Sequence, residues 1–103
     1  MESVYINSLE ELKEWNRVPT GDRPFAWDWY LDWIFIEVLE KVDYDLFLDA
    51  FDTMVEFTTI WEKISEKEAI ERTIKNLQYV DDRNSYFSDT LKLFLKDIIE
   101  NLN

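Results

Sequence analysis

The scarcity of glycine and proline constrains the fold of this chain more than any other feature of its sequence. Its 103 residues include one Gly and two Pro. Because these two residue types supply most sharp turns, the backbone has few places at which to reverse abruptly, which favours helices joined by short connections. The sequence therefore predicts an all-α fold, a compact bundle of about five helices.

The chain has the size and composition of one domain, spanning residues 1–103. Apolar residues make up 47% of it and aromatic residues 17%, which is too apolar for a disordered acidic segment. We interpret residues 18–23, which contain Pro19 and Gly21, as a loop within that domain. It is a connection and not a domain boundary, because we expect neither flank to form a core alone.

The first helix is predicted from a capping box at Ser8 and Glu11. Ser8 is placed to accept a hydrogen bond from an otherwise unpaired N–H of the first turn, and Glu11 to reach back to the cap. We expect the helix to run to about Arg17, after a short extended segment over residues 4–6. Its predicted buried residues are Leu9, Leu12 and Trp15.

A longer helix is predicted over residues 44–64, with Asp43 as its N-terminal cap. Apolar side chains recur there with the 3.6-residue period of one helix face. The residues on that face are Leu46, Phe47, Ala50, Phe51, Met54, Phe57 and Trp61.

Two further helices complete the predicted bundle. Ser65 and Glu68 form a second capping box, a turn is predicted at residues 81–84, and the last helix is expected to begin near Ser85 or Ser88. The apolar residues that these helices are expected to bury are Ile70, Ile74, Leu77, Phe87, Leu91, Phe94, Leu95, Ile98 and Leu102.

Residues 24–42 carry two conflicting patterns. Aromatic and aliphatic residues fall on odd positions from Phe25 to Phe35, an alternation typical of a strand. A strand of that length is unusual, however, and Ile34 and Ile36 break the alternation. We favour a long helix that starts at Pro24, is apolar nearly all round and is central to the bundle, with a strand as the alternative.

The absence of His and Cys excludes the commonest catalytic and metal-binding chemistry. Without them the chain has no thiolate nucleophile, no imidazole base and no zinc site built on either residue. Its single Gly excludes glycine-rich phosphate-binding loops. We therefore expect no catalytic residues, no metal and no cofactor, and a protein that is not an enzyme. An enzyme that uses carboxylates alone is the remaining catalytic hypothesis.

Location is indicated by the first residues and by the most apolar stretch. The N-terminus lacks the basic and then apolar order of a signal peptide. The apolar residues 25–39 are interrupted by Asp28, Asp32 and Glu37, which is costly in a membrane-spanning helix. We expect a cytoplasmic protein that contacts neither membrane nor nucleic acid, since its negative charge repels both.

Negative charge is concentrated in the middle of the chain. The whole chain has a formal net charge of -12, and residues 24–62 hold ten acids and one base, Lys41, a net charge of -9. Spacings of 4, 3 and 4 residues place Asp45, Asp49, Asp52 and Glu56 on one helix face. Such a stripe is either a solvated face or a surface that binds a cationic partner.

Aromatic residues are concentrated in the same region. Trp27, Trp29 and Trp33 lie close together in sequence, interleaved with Asp28 and Asp32. They form either the centre of the core or, where exposed, anchors for a partner, because Trp buries a large area at small entropic cost.

In being short, very acidic, aromatic-rich and without catalytic groups, the chain resembles two groups of inhibitors. One comprises phage and plasmid proteins that block restriction or CRISPR nucleases, some by imitating the charge of DNA. The other comprises bacterial immunity proteins that neutralise nuclease toxins. The resemblance is one of composition, and no functional residue is carried over from it.

This resemblance implies a protein inhibitor whose carboxylates stand in for phosphates. Its expected partner is a basic protein, a nuclease or another nucleic-acid-binding enzyme. The alternative is a non-catalytic structural or regulatory module that forms a homodimer through an aromatic helix face. The predicted partner-binding residues are Asp28, Asp32, Asp45, Asp49, Asp52, Glu56, Trp27, Trp29 and Trp33.

Overall fold

A computed structural model describes residues 4–19, 24–84 and 88–101. Within these residues the chain forms five α-helices, one π-helical segment and two short strands, which confirms the predicted helical bundle. In chain order the elements are β1 (Val4–Tyr5), α1 (Leu9–Arg17), β2 (Pro24–Phe25), α2 (Trp27–Trp33), the π-helix (Ile34–Val38), α3 (Tyr44–Glu62), α4 (Glu66–Asn84) and α5 (Ser88–Asn101).

Helix α3 is the centre of the bundle and packs against α1, α4 and the π-helix. Its predicted apolar face is buried, except that Leu46 and Trp61 at its two ends are half-buried. The other helices cover this face with fully or nearly fully buried side chains of their own. These include Leu12, Tyr30, Ile34, Val38, Ala69, Leu77, Leu91 and Leu95.

Both predicted capping boxes supply N-terminal caps. The Ser8 hydroxyl accepts a hydrogen bond from the Glu11 N–H at 3.1 Å, and the Glu11 carboxylate accepts one from the Asn7 N–H at 2.9 Å. The Ser65 hydroxyl accepts from the Glu68 N–H at 3.2 Å. These bonds satisfy N–H groups that have no partner inside the helix, which fixes where α1 and α4 begin.

Asp43 caps α3 as predicted, and its removal should have a measurable cost. Its carboxylate accepts a hydrogen bond from the Leu46 N–H at 3.0 Å. Asp43→Ala is expected to lower the free energy of unfolding by about 1 kcal/mol, measured by urea denaturation. Asp43→Asn retains a side-chain acceptor and is the matched control, expected to lose much less. Equal losses in the two variants would contradict a capping role.

The predicted helix over residues 24–42 is wrong at both ends. Pro24 and Phe25 instead form β2, which pairs with β1 in parallel, because the Ile6 N–H donates to the Phe25 carbonyl at 2.9 Å. Helical structure is confined to residues 27–38. Beyond it, Val42 takes a left-handed φ of 52° in the turn before α3.

The same segment is not buried all round. Tyr30, Ile34 and Val38 are fully buried, but Ile36 is 63% exposed. The last turn is a π-helix, in which the Leu39 N–H bonds to the Ile34 carbonyl at 2.9 Å, a step of five residues. None of the described helices combines the length and the apolar character needed to cross a bilayer.

Of three other boundaries predicted from the sequence, two are wrong and one is confirmed. The turn predicted at residues 81–84 is wrong because α4 continues to Asn84, since residues of low helix propensity cost only a few tenths of a kcal/mol each. Helix α3 ends at Glu62 rather than at residue 64, because Lys63 is left-handed. Helix α5 begins at Ser88, one of the two predicted starts. Residues 20–23 of the predicted loop, Ser85, Phe87 and Leu102 lie outside the described residues.

Candidate partner-binding surface

The four acids predicted to share one face of α3 lie on its exposed side. Asp45, Asp49, Asp52 and Glu56 are all exposed, whereas the opposite face of α3 is buried in the core. At a rise of about 1.5 Å per residue, they extend over roughly 16 Å. We refer to these four residues as the α3 stripe.

One member of the stripe is paired with a cation from α1. The Lys13 ammonium lies 2.7 Å from Asp49 Oδ2, and both side chains remain 40–50% exposed. The hydrogen bond to Asp49 raises the pKa of Lys13 above its ordinary value. Among the described ion pairs, Asp49 is therefore the stripe residue whose charge is offset.

Helix α4 adds a carboxylate that the sequence pattern did not reveal. Partial burial, followed by the charges of Asp49 and Glu66, raises the pKa of Asp52. Glu66 is the first residue of α4, and the short turn after α3 brings it back beside the stripe. A cleft of about 570 Å³ separates the two helices there, lined by Asp52, Val55, Glu56, Thr59, Ile64, Glu66 and Ile70.

Helix α5 contributes near the N-terminal end of the stripe. The Tyr44 hydroxyl donates a hydrogen bond to the Asp97 carboxylate. This bond, then partial burial and the charges of Asp97, Asp52 and Asp45 raise the pKa of Tyr44 to about 12. Asp97 therefore belongs to the same negative region as the stripe.

The raised pKa of Asp52 predicts a pH-dependent effect of its neutralisation. A raised pKa in the folded state means that the ionised carboxylate of Asp52 is less favourable there than in the unfolded chain. Asp52→Asn replaces that carboxylate by a neutral amide and should therefore stabilise the folded chain at pH 7. We expect a gain of about 0.2–0.5 kcal/mol, the size of one like-charge contact on a helix. The gain should disappear as the pH falls below the ordinary carboxyl pKa, because Asp52 is then protonated in both states.

Urea denaturation at pH 7 and at pH 3 measures this difference. The matched control is Asp89→Asn, which removes the same charge from the first turn of α5. A negative charge there is favourable to the helix dipole, so this variant should not stabilise. Destabilisation by Asp52→Asn at pH 7 would contradict the proposed repulsion.

Asp28 and Asp32 are exposed on α2, and α2 shares a cleft with a part of α3 away from the stripe. At 100° per residue, Thr58 lies about 150° around α3 from the middle of the stripe. A cleft of about 280 Å³ joins α2 to that side of α3, lined by Trp27, Leu31, Thr58, Glu62, Arg72 and Asn76. Arg72 and Asn76 belong to α4, which therefore also borders this cleft, and no acid of the stripe lines it.

The three predicted tryptophans are neither fully buried nor free. Trp27, Trp29 and Trp33 are half-buried against the core. Trp29 and Trp33 stack with ring centroids 5.3 Å apart and planes 18° apart. Trp27 and Trp29 each meet the ring of buried Tyr30 edge-on. Each Trp thus packs on the core and retains some surface for a partner.

Among the described residues, no three acids are grouped so that they could hold a metal ion. Comparison of the chain with protein-family models, with curated proteins and with solved structures gives no match. Function is therefore inferred from the exposure, charge and geometry of the chain's own residues.

Proposed function

We propose that this chain is a small acidic inhibitor that binds the cationic groove of a nucleic-acid-handling enzyme, of the anti-CRISPR, anti-restriction or nuclease-immunity type. The observation that carries the proposal is the exposed α3 stripe, extended by Glu66 of α4 and Asp97 of α5. Its carboxylates would take the places of phosphate oxygens opposite Arg and Lys, with which they form strong charge-assisted hydrogen bonds.

The density of charge supports this role once the neighbouring helices are included. Along α3 alone, neighbouring carboxylates are roughly 5–6 Å apart, whereas the phosphates of each DNA strand are about 3.4 Å apart along the helix axis. Glu66 and Asp97 add charge beside the stripe. A net charge of -12 also attracts a basic partner at long range and accelerates its association.

The cleft beside the stripe gives cationic side chains an apolar wall as well as an anion. Val55, Ile64 and Ile70 line it together with Asp52 and Glu66. Lys and Arg bury their aliphatic stems along such surfaces while the charged ends remain near carboxylates. Trp29 and Trp33 do not line this cleft, so a partner that also uses them extends beyond it to α2.

Affinity capture from the source cell tests the proposal directly. The immobilised chain should retain a basic nuclease or another nucleic-acid-binding enzyme at about 50 mM salt and release most of it at about 200 mM, because the contacts are ionic. Adding the chain to the captured enzyme should block its action on nucleic acid at about one chain per enzyme. Capture of proteins that include no such enzyme would contradict the proposal.

Self-association through α2 is the competing function, and the half-exposed stack of Trp29 and Trp33 is the observation that favours it. Sedimentation at the same two salt concentrations separates the two functions. A monomer supports the inhibitor. A stable homodimer that is insensitive to salt, and that Trp33→Ala dissociates, supports the interaction module instead.

A further inference from the structure

An apolar surface lies between α1 and β1, on the side of α1 opposite to α3. It is a shallow groove of about 330 Å³ lined by Val4, Tyr5, Ile6, Glu11, Glu14, Trp15 and Val18. Tyr5 is 62% and Val18 65% exposed. Phe25, also exposed, stacks on Tyr5 with ring centroids 5.2 Å apart and extends the apolar area. We call this surface the β1–α1 groove.

The backbone of β1 offers hydrogen-bonding groups at the same place. In the described residues the sheet has two strands, so β1 is an edge strand. The Ile6 N–H bonds to the Phe25 carbonyl at 2.9 Å. In a parallel pair, alternate residues of a strand bond to its neighbour. The N–H and carbonyl of Tyr5 therefore point away from β2, where a further strand could pair with them.

We propose that the β1–α1 groove receives an extended segment of a partner protein, which adds to the sheet as a third strand beside β1. The segment alternates β-branched apolar residues with Lys or Arg. Successive side chains of a strand face opposite ways. The cationic set then faces α1, with its aliphatic stems on Val18 and its charged ends near Glu11 and Glu14. The apolar set lies beside the exposed rings of Tyr5 and Phe25. Main-chain pairing combined with alternating side-chain contacts is a common mode of peptide recognition.

Charge complementarity favours a cationic segment over a neutral or acidic one. Glu11 and Glu14 line the groove, and Glu10 lies on the same helix. Arg17 is paired with Glu14 and offsets its charge, so Glu11 is the lining carboxylate without an ion pair among the described residues. This proposal does not depend on the α3 stripe, because none of the groove residues belongs to the stripe.

Trp15 provides a reporter of binding. The residue is about nine-tenths buried, and its indole Nε1–H has no hydrogen-bond partner among the described residues. Because the Trp15 side chain lines the groove, an occupant changes the surroundings of this N–H. The nuclear magnetic resonance signal of this N–H should therefore shift when the groove is filled.

The probe is a capped six-residue peptide of alternating valine and lysine, titrated into the isotope-labelled full chain. We expect shifts at the Trp15 indole N–H and at the Tyr5 backbone N–H. Replacing the lysines by glutamate should weaken binding at least about tenfold. N-methylation of either the valine or the lysine amides removes half of the peptide's N–H donors. One of these two peptides should lose at least about tenfold in affinity if a strand is added.

A variant of the chain locates the site. Val18→Lys places a cation in the groove and should weaken the parent peptide at least about tenfold. Its matched control is Leu93→Lys on α5, where the replaced side chain is 63% exposed, and this variant should bind normally. Circular dichroism confirms that both variants remain folded.

Four outcomes would overturn the proposal. They are the absence of any shift with the parent peptide, shifts centred on the α3 stripe instead of Tyr5 and Trp15, and equal binding of both methylated peptides and the parent. The fourth is a homodimer that Val18→Lys dissociates, since the occupant would then be a second copy of this chain.

Discussion

Reversing three charges of the α3 stripe, with Asp45→Lys, Asp52→Lys and Glu56→Lys, is expected to weaken the complex with the captured enzyme at least about a hundredfold. Each reversal replaces an attraction by a repulsion against the same cationic groove. The association rate should fall most, because it depends on long-range steering, and the fall should be largest at low salt. Asp49 is left unchanged because it holds Lys13.

This experiment has to distinguish the effect of total charge from the effect of where the charges lie. The three reversals change the net charge from -12 to -6, since each adds two positive units. The matched control, Glu37→Lys with Glu40→Lys and Glu71→Lys, makes the same change at exposed positions outside the stripe. We expect this control to lose less than about tenfold in affinity.

Association and dissociation rates measured at two ionic strengths, about 50 mM and 200 mM salt, distinguish the variants. If the stripe variant and its control lose affinity equally, the enzyme responds to overall charge and not to the stripe. If neither variant loses affinity, carboxylates do not replace phosphates in the complex. Either result would remove the basis of the proposed inhibitor.

The parts of the fold that could be predicted are those determined by neighbours in sequence. The capping bonds of Ser8, Asp43 and Ser65 join residues three apart, and the apolar period of α3 is a local pattern as well. The structure at the start of residues 24–42 depends instead on a residue that is distant in sequence. The bond that places Phe25 in a strand comes from Ile6, nineteen residues away, and no pattern within the segment carries that information.

The candidate partner-binding surface could likewise be predicted only where it depends on neighbours in sequence. Spacing along one helix was sufficient to place Asp45, Asp49, Asp52 and Glu56 on a common face. Glu66 and Asp97 join that region because α4 and α5 pack beside α3, which depends on the tertiary structure. Asp28 and Asp32 are exposed on α2, and no acid of the stripe lines the cleft that α2 shares with α3 and α4. Their contact with a partner remains a prediction.

Truncating the ring at the centre of the core, Phe47→Ala, is expected to lower the free energy of unfolding by about 3–5 kcal/mol. Phe47 is fully buried, and its ring centroid lies 6.3 Å from that of Phe51 and 5.1 Å from that of Phe94. Domains of this size have total stabilities of about 5–15 kcal/mol, so the loss is a large share.

Urea denaturation followed by tryptophan fluorescence measures the effect. Phe25→Ala is the matched control: it removes the same ring from a site that is 51% exposed, and less than about 1 kcal/mol should be lost.

The Phe47→Ala truncation should also loosen α5, because Phe94 connects this helix to both Phe47 and Tyr44. Because α5 also carries Asp97, we expect this loosening to weaken the hydrogen bond from Tyr44 to Asp97. The pKa of Tyr44 should then fall from about 12 towards its ordinary value of 10.0 in any Phe47→Ala protein that stays folded. An unchanged Tyr44 titration in folded Phe47→Ala would show that α5 is held by other contacts, and Asp97 would then remain beside the stripe without the help of Phe47.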